Sequence, residues 1–287
     1  MQGEYVRRIV QLALAEDIGT GDVTTLATVP EDLQASGYLL AKSPGVLSGL
    51  EVAAAVFHEV DPAITFEPLA ADGDRIERGQ HLARVSGPAR GILSAERVAL
   101  NFVQRLSGVA TLTARYVAAV EGTGARIIDT RKTTPGMRLL EKAAVRHGGG
   151  HNHRVGLSDG VLIKDNHLAA IGGADRIARA VAAARAFAPH TLRIEVEVTS
   201  LEELDQALAA GADVILLDNM PIDMMAEAVR RTAGRAILEA SGGITLETVR
   251  QVAETGVDLI SSGALTHSAP ALDISLEIEL QPEEDAP

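Results

Sequence analysis

The chain has 287 residues, 46% of them apolar, and a formal net charge of −13. This length suits one large domain or two unequal ones and allows a sizeable core. The lack of cysteine excludes a disulfide framework and a thiolate metal site. Three Tyr, four Phe, no Trp and a negative charge argue against binding to nucleic acid. No apolar run approaches the ~20 residues that span a bilayer, and no apolar leader is visible, so we expect a cytoplasmic protein.

The positive charge is concentrated in one part of the chain. Lysine occurs only four times, and three of these residues lie between positions 132 and 164. Residues 129–167 carry seven Lys or Arg against four Asp or Glu, so this segment is +3 and the remainder is −16. Four of the eight histidines lie there too. This distribution indicates a binding site for an anion within an acidic protein.

The first third of the chain mixes helical and β patterns. In chain order they predict a helix over 3–15, a polar loop over 16–25, strand and turns over 34–49, a helix over 51–60 and a small β element over 72–87. A long helix then begins at Ser94 as N-cap and runs toward Val120, with a break or kink at Gly108.

From residue 125 onward, short β-rich runs alternate with helical patterns, which is typical of parallel βα units. The predicted strands are 125–129, 161–164, 192–198, 214–217, 236–239 and 259–261, and the predicted helices are about 173–188, 201–210, 222–232 and 245–255. Polar residues close the later strands at intervals of 21, 23 and 21 residues, from Glu197 through Asp218 and Ser241 to Ser262. This repeat favours an α/β barrel with one active mouth. Six strands instead of eight predict an incomplete barrel.

Two basic motifs follow predicted strand positions. Residues 129–136 (DTRKTTPG) place Thr130, Arg131 and Lys132 directly after a strand, where α/β folds bind ligands. The alternative is a basic surface loop. Residues 148–154 (GGGHNHR) combine three glycines, which permit close backbone approach, with His153 and Arg154. An anion-binding loop fits this motif better than a metal site, because no third ligand follows at a usual spacing.

Lys164 ends an apolar strand, where burial is costly unless the ammonium group is paired or has a chemical task. It could form a Schiff base, bind a carboxylate or phosphate, or form a salt bridge with Glu197 or Asp218. Those two carboxylates could bind sugar hydroxyls, hold Mg²⁺ through waters, oppose a developing positive charge, or simply balance the cations.

Two small-residue turns close the last two strands. Ser241-Gly242-Gly243 precedes a helical pattern, and Ser262-Gly263-Ala264 follows the final strand. Backbone N–H groups of such turns can bind phosphate, and barrels of this kind place phosphate sites there. Cations, carboxylates and phosphate-binding turns at one mouth suit a ligand with carboxylates at one end and phosphates at the other.

These motifs resemble the quinolinate phosphoribosyltransferases, also called carboxylating nicotinate-nucleotide pyrophosphorylases. The resemblance covers essentially the whole chain in order. It rests on Glu16-Asp17 with Gly19, Gly21-Asp22 and Thr24, Ala95-Glu96-Arg97, Asp129–Thr133, Gly148–Gly150, Asn152–Arg154, Leu162–His167, Ser241–Gly243 and Gly263–Ser268. His151 departs from the family pattern, in which a small or apolar residue is expected.

The resemblance implies an N-terminal α/β sandwich domain over residues 1–115, an incomplete TIM-like α/β barrel over 116–268, and a C-terminal segment over 269–287. From Asp273 onward that segment has six acidic residues and no basic one, so we expect its end, 281–287, to be disordered. The resemblance also implies a homodimer in which Arg97 reaches the partner's barrel mouth. The substrates would be quinolinate and phosphoribosyl pyrophosphate with Mg²⁺, and the products nicotinate mononucleotide, pyrophosphate and CO₂, in NAD biosynthesis.

The resemblance also suggests roles for the site residues. The cations that would bind the two quinolinate carboxylates are Arg97, Arg131, Lys132, His153, Arg154 and Lys164. Glu197 and Asp218 would favour an oxocarbenium-like state and bind ribose hydroxyls or the waters of a substrate-borne Mg²⁺, with no side chain assigned as a direct metal ligand. The two turns, including Ala264, would bind the 5′-phosphate. Lys164 or His153 would deliver a proton to C2. Rival interpretations are a Schiff-base lyase using Lys164, a phosphoribosyltransferase for another heterocycle, and a non-catalytic phosphosugar-binding protein.

Overall fold

The computed structural model describes residues 2–280, so the predicted disordered end at 281–287 lies outside the described residues. The strands are β1 (Gln34–Ala41), β2 (Gly45–Val46), β3 (Thr65–Pro68), β4 (Arg75–Ile76), β5 (His81–Pro88), β6 (Arg126–Ile128), β7 (Val161–Ile163), β8 (Ile194–Val198), β9 (Val214–Asp218), β10 (Ile237–Ser241), β11 (Leu259–Ser261) and β12 (Ile274–Leu280). The helices are α1 (Gln2–Ile18), α2 (Val23–Thr28), α3 (Leu50–Val60), α4 (Ala89–Ala119), α5 (Arg138–His147), α6 (Asp165–Ile171), α7 (Arg176–Phe187), α8 (Leu201–Ala209), α9 (Ile222–Thr232), α10 (Val249–Glu254) and α11 (Ala264–His267).

These elements form two compact units. The first takes the described residues of 1–112, 134–149 and 269–287, and the second takes 113–133 and 150–268. Two of the breaks lie near the boundaries expected at 115 and 268. No sequence signal marked the return of 134–149 to the first unit, because that return depends on long-range contacts. Of the helices in residues 2–280, none has the length and apolar character needed to cross a membrane.

The first unit contains an antiparallel sheet that, within residues 2–280, has the order β12-β1-β5-β3. Strand β1 pairs along its length with both β12 and β5, and its Leu39 side chain is fully buried. A Cβ atom on Gly37 would lie 2.6 Å from the Glu277 carbonyl oxygen, so glycine is required where β12 packs against β1. Residues 274–280 of the C-terminal segment therefore belong to this sheet.

Helix α4 differs from its predicted form. It begins at Ala89, before Ser94, and it runs through Gly108 without a break. Ser94 lies inside the helix and is therefore not its N-cap, and its hydroxyl donates to Asp22 Oδ2 (3.1 Å). At Gly108 an added Cβ would lie 2.0 Å from the Pro270 carbonyl oxygen. The glycine therefore allows the chain at 270 to pack closely against the helix.

The second unit contains the predicted incomplete barrel, and the expectation is confirmed. Within the described residues, its six parallel strands have the order β6-β11-β10-β9-β8-β7, and the end strands β6 and β7 do not pair. Each predicted strand is present, with ends that differ by at most two residues. The register aligns Asp218 with Ser241, so both lie at the carboxyl edge of the sheet. Parallel pairing therefore brings the strand-end residues together.

Candidate active site

A cavity of about 350 Å³ lies at the carboxyl ends of the parallel strands, and we call it the carboxyl-end cavity. Its lining includes most of the residues that the sequence singled out. These are Thr130, Arg131, Lys132, His153, Arg154, Lys164, Glu197, Asp218, Ser241, Gly242 and Gly243. Leu162, Leu216, Asn219 and Glu239 complete the lining. Residues far apart in the chain thus surround one space.

A buried carboxylate organises the cationic side of this cavity. Asp129, fully buried at the end of β6, accepts hydrogen bonds from the His153 backbone N–H (2.8 Å) and the Asn152 side-chain amide (2.6 Å). The His151 N–H donates to the Ile127 carbonyl oxygen (2.8 Å), which fixes the segment beside β6. Asp129 therefore fixes the backbone from which His153 and Arg154 project.

Arg154 lies in crowded positive surroundings. Its Nη1 donates to the Gly160 carbonyl oxygen (2.9 Å). Burial, and then the positive charge of Arg131, lower the pKa of this guanidinium, against the opposing effects of Glu195 and Asp159. Two guanidinium groups facing one cavity repel each other, and a multivalent anion between them would relieve that repulsion. The arrangement suits a ligand with more than one carboxylate.

Lys164 follows β7 directly, and its Nζ forms an ion pair with Glu197 Oε2. This is one of the three roles that the sequence left open for Lys164. The carboxylate is a partner for an ammonium group, whereas Schiff-base formation requires a neutral amine. The pair therefore favours a charged role for Lys164.

The Ser241–Gly243 turn also lines the carboxyl-end cavity. Gly242 has a φ of 94°, and a Cβ there would lie 2.3 Å from Asn219 Oδ1. The Asn219 side-chain amide donates to Asp218 Oδ2 (3.0 Å), and its backbone N–H donates to the Ser241 carbonyl oxygen (2.9 Å). Only glycine fits at position 242, and the two strand ends are joined through Asn219.

The remaining candidates lie elsewhere. Ser262 is buried, and its N–H donates to the Ile128 carbonyl oxygen (3.2 Å). A Cβ on Gly263 would lie 3.0 Å from Lys132 Cδ, so this turn, followed by Ala264, packs against Lys132. Arg97 is exposed on α4 in the first unit. The cavity lining does not include the Ser262–Ala264 turn or Arg97.

Two carboxyl groups that the sequence reasoning missed lie beside His153. Nε2 of His153 is 3.1 Å from Glu195 Oε2 and 3.7 Å from Glu239 Oε2. Burial, followed by the charge of Glu195, raises the pKa of Glu239 to about 8, although His153 acts in the opposite direction. The available signal was a glutamate between apolar neighbours in the interior of a strand, Glu195 in β8 and Glu239 in β10.

The same three side chains have the composition of a metal site, and their ligand atoms lie within 4.8 Å of one another. The hydrogen bonds of the imidazole do not fit that use. The Arg154 N–H donates to His153 Nδ1 (2.6 Å), so Nδ1 is the acceptor nitrogen and Nε2 carries the ring proton. A metal at Nε2 would need the lone pair that this proton occupies. The cluster fits a hydrogen-bonded role better.

Comparisons with known proteins agree with the fold and the motifs. Family models described as the N-terminal and C-terminal domains of quinolinate phosphoribosyl transferase match residues 22–107 and 109–277. The carboxylating nicotinate-nucleotide pyrophosphorylase of Mycobacterium leprae is 49% identical over 96% of this chain and 98% of its own length. The chloroplastic enzyme of that name from Arabidopsis thaliana is 45% identical over 96% of this chain and 83% of its own. The nicotinate-nucleotide pyrophosphorylase structure from Francisella tularensis is 40% identical, covers 96% of both chains and superposes with a TM-score of 0.90. The chain therefore belongs to the quinolinate phosphoribosyltransferase family.

Proposed function

We propose that this chain transfers the phosphoribosyl group of phosphoribosyl pyrophosphate to quinolinate with decarboxylation. The products are nicotinate mononucleotide, pyrophosphate and CO₂, as in NAD biosynthesis. The observation that carries the proposal is the carboxyl-end cavity, where Arg131, Lys132, Arg154 and Lys164 face Glu197 and Asp218. Family membership and the names of the relatives support the same reaction.

Quinolinate is a planar dianion with two adjacent carboxylates. The guanidinium groups of Arg131 and Arg154 can each bind a carboxylate through two parallel hydrogen bonds. Lys132 and Lys164 add positive charge at the same cavity. This positive charge offsets the free-energy cost of removing water from a dianion. Because the cations bind the carboxylates, the ring nitrogen remains available to attack the sugar.

Ribosyl transfer forms a bond between the ring nitrogen and C1 of ribose while pyrophosphate leaves with its bonding electron pair. Positive charge develops on the ribose ring, and the carboxylates of Glu197 and Asp218 stabilise it and accept hydrogen bonds from ribose hydroxyls. The Ser241–Gly243 turn binds the 5′-phosphate through its backbone N–H groups. The turn at Ser262–Ala264 is not part of the cavity lining, and it supports the site through the packing of Gly263 against Lys132.

Decarboxylation follows on the ribosylated ring. The bond from C2 to its carboxylate breaks, the electron pair remains at C2 beside the positive ring nitrogen, and a proton then adds to C2. Lys164 and His153 are the candidate donors. Both ring nitrogens of His153 have protein partners, whereas the Lys164 ammonium has three N–H groups and its pairing with Glu197 uses one, which favours Lys164 as the donor.

Mg²⁺ fits the oxygen-rich side of this cavity. Glu197 and Asp218 would hold the waters of an ion that arrives on the pyrophosphate. The ion would neutralise the charge of the leaving group. The protein would be a cytoplasmic homodimer in which Arg97 of one subunit completes the quinolinate site of the other.

The decisive experiment incubates the purified chain with quinolinate, phosphoribosyl pyrophosphate and Mg²⁺. We expect stoichiometric nicotinate mononucleotide and CO₂, measured by chromatography and by release of label from the 2-carboxylate. Turnover of nicotinate without CO₂ release would indicate the transferase for another pyridine. A borohydride-trapped adduct on Lys164 would indicate the lyase, and tight binding without product would indicate a binding protein.

A further inference from the structure

The carboxyl pair, Glu195 and Glu239, lies inside the barrel, where aliphatic side chains usually fill the space. Both residues are buried. Neither Glu195 Oε1 nor Glu239 Oε1 has a hydrogen-bond partner in the protein. Buried, incompletely bonded carboxyls cost stability unless they do something that aliphatic side chains cannot do. The His153 imidazole lies beside both carboxyls, and Ser261 also interacts with Glu239.

The contacts of the imidazole fix its orientation. Nδ1 accepts the Arg154 backbone N–H, and the proton on Nε2 is directed at Glu195, with Glu239 slightly farther away. The ring therefore links the carboxyl pair to the backbone of Arg154. Asp129 holds the same segment from the β6 side through the His153 N–H.

A second cavity lies at the amino ends of the strands, and the carboxyl pair prevents the His153 ring from turning into it. It has a volume of about 450 Å³, and its lining includes Glu195, Glu239, His153 and Arg154. His153, Arg154 and Glu239 line both cavities, so they form the layer between them. The imidazole thus has open space on its far side into which it could turn if its Nε2 partner were removed.

We propose that Glu195 and Glu239 are positioning residues for quinolinate binding: they hold the His153 ring and thereby fix the guanidinium of Arg154 in the carboxyl-end cavity. The inference rests on the proposed function, because it assigns the Arg154 guanidinium to a quinolinate carboxylate. Neither glutamate needs to touch the substrate. Because its pKa is raised to about 8, the Glu239 carboxyl is neutral at pH 7. We therefore expect glutamine at this position to preserve the fold and the site.

The test compares Glu195→Leu, which removes the acceptor nearest to His153 Nε2, with its matched control Glu195→Gln, which keeps the size and one oxygen acceptor. We expect Glu195→Leu to raise the KM for quinolinate about tenfold, the effect of leaving a buried donor without its partner. The KM for phosphoribosyl pyrophosphate should change less than about twofold, since its proposed contacts are with Glu197, Asp218 and the Ser241–Gly243 turn and not with Arg154. Glu195→Gln should resemble the unmodified enzyme for both substrates. A loss of stability alone would not separate the two KM values.

A second measurement does not depend on turnover or on the leucine variant folding. Nitrogen-15 NMR of ring-labelled histidine, with His153 assigned by comparison with His153→Asn, reports which ring nitrogen carries the proton. We expect the proton on Nε2 in the unmodified protein and in Glu195→Gln.

A proton on Nδ1 in the unmodified protein would overturn the inference. So would an unchanged quinolinate KM, or an equal rise of both KM values, in folded Glu195→Leu. A protein that does not turn over quinolinate but keeps the Nε2 proton would refute the proposed function alone, and the ring contact would stand.

Discussion

Glu239 links the protonation of the barrel interior to the stability of the fold. Its pKa lies near 8 in the folded chain, above the ordinary 4.5 of a glutamate. Between these values the folded state binds a proton that the unfolded state has lost, so stability falls as the pH rises through this window. We expect the thermal midpoint to fall more between pH 5 and 8 in the unmodified protein than in Glu239→Gln. Parallel curves for the two proteins would contradict this assignment.

The residue scale also shows what the sequence could and could not predict. Lys164, Glu197 and Asp218 were found because each lies within one residue of the carboxyl end of a strand, and these ends meet at one edge of a parallel sheet. Glu195 and Glu239 lie within strands, where a charged residue in one strand carries no information about its neighbour in another. Their pairing depends on the register between β8, β9 and β10, which only the folded sheet provides.

At the scale of elements, a substitution in α4 can show whether packing or helix propensity has the larger effect on stability. Alanine is about 1 kcal/mol better than glycine within a helix, so Gly108→Ala would stabilise an isolated helix. In the protein the new Cβ would lie 2.0 Å from the Pro270 carbonyl oxygen, so that segment must move, at a cost of about 1–3 kcal/mol or more. We expect a lower thermal midpoint for Gly108→Ala, measured by calorimetry. Gly3→Ala is the matched control, because Gly3 lies in α1 with no atom within 4 Å of an added Cβ. A midpoint that rises for both variants would show that propensity dominates.

The same helix explains a failure of the sequence prediction. A glycine in a helical pattern is a reasonable place to predict a break, because the neighbouring sequence does not show why a helix would need glycine there. The reason lies 162 residues later in the chain, at Pro270. The barrel strands were predicted more closely because their apolar runs and polar ends are local signals. The return of 134–149 to the first unit, like the glycine, depends on distant contacts.

At the scale of the whole molecule, net charge is a poor guide to the ligand. The chain is −13, yet the carboxyl-end cavity is lined by Arg131, Lys132, Arg154 and Lys164. Many of the acidic side chains are exposed, and there they favour solubility. An acidic exterior with a cationic cavity restricts strong anion binding to one place. Screening by salt should therefore weaken substrate binding less than it weakens interactions among exposed charges.

The proposed dimer predicts that two variants, each inactive alone, recover activity when their subunits are mixed. If Arg97 acts in the partner's cavity, a subunit with Arg97→Ala keeps its own barrel intact, and a subunit with Lys164→Ala still supplies its arginine. Each variant alone should be inactive. A mixed dimer then has one complete site and one doubly defective site. Random reassortment after mild denaturation makes about half of the dimers mixed, so the mixture should recover about a quarter of the unmodified activity.

The control mixes Lys164→Ala with Glu197→Ala, two changes within one cavity, which no pairing of subunits can repair. Native mass spectrometry would measure the fraction of mixed dimers, and the rate of CO₂ release would measure activity. If mixed dimers form and recover no more activity than this control, Arg97 does not act across the interface. Recovery in proportion to the mixed fraction would establish a site built from two chains.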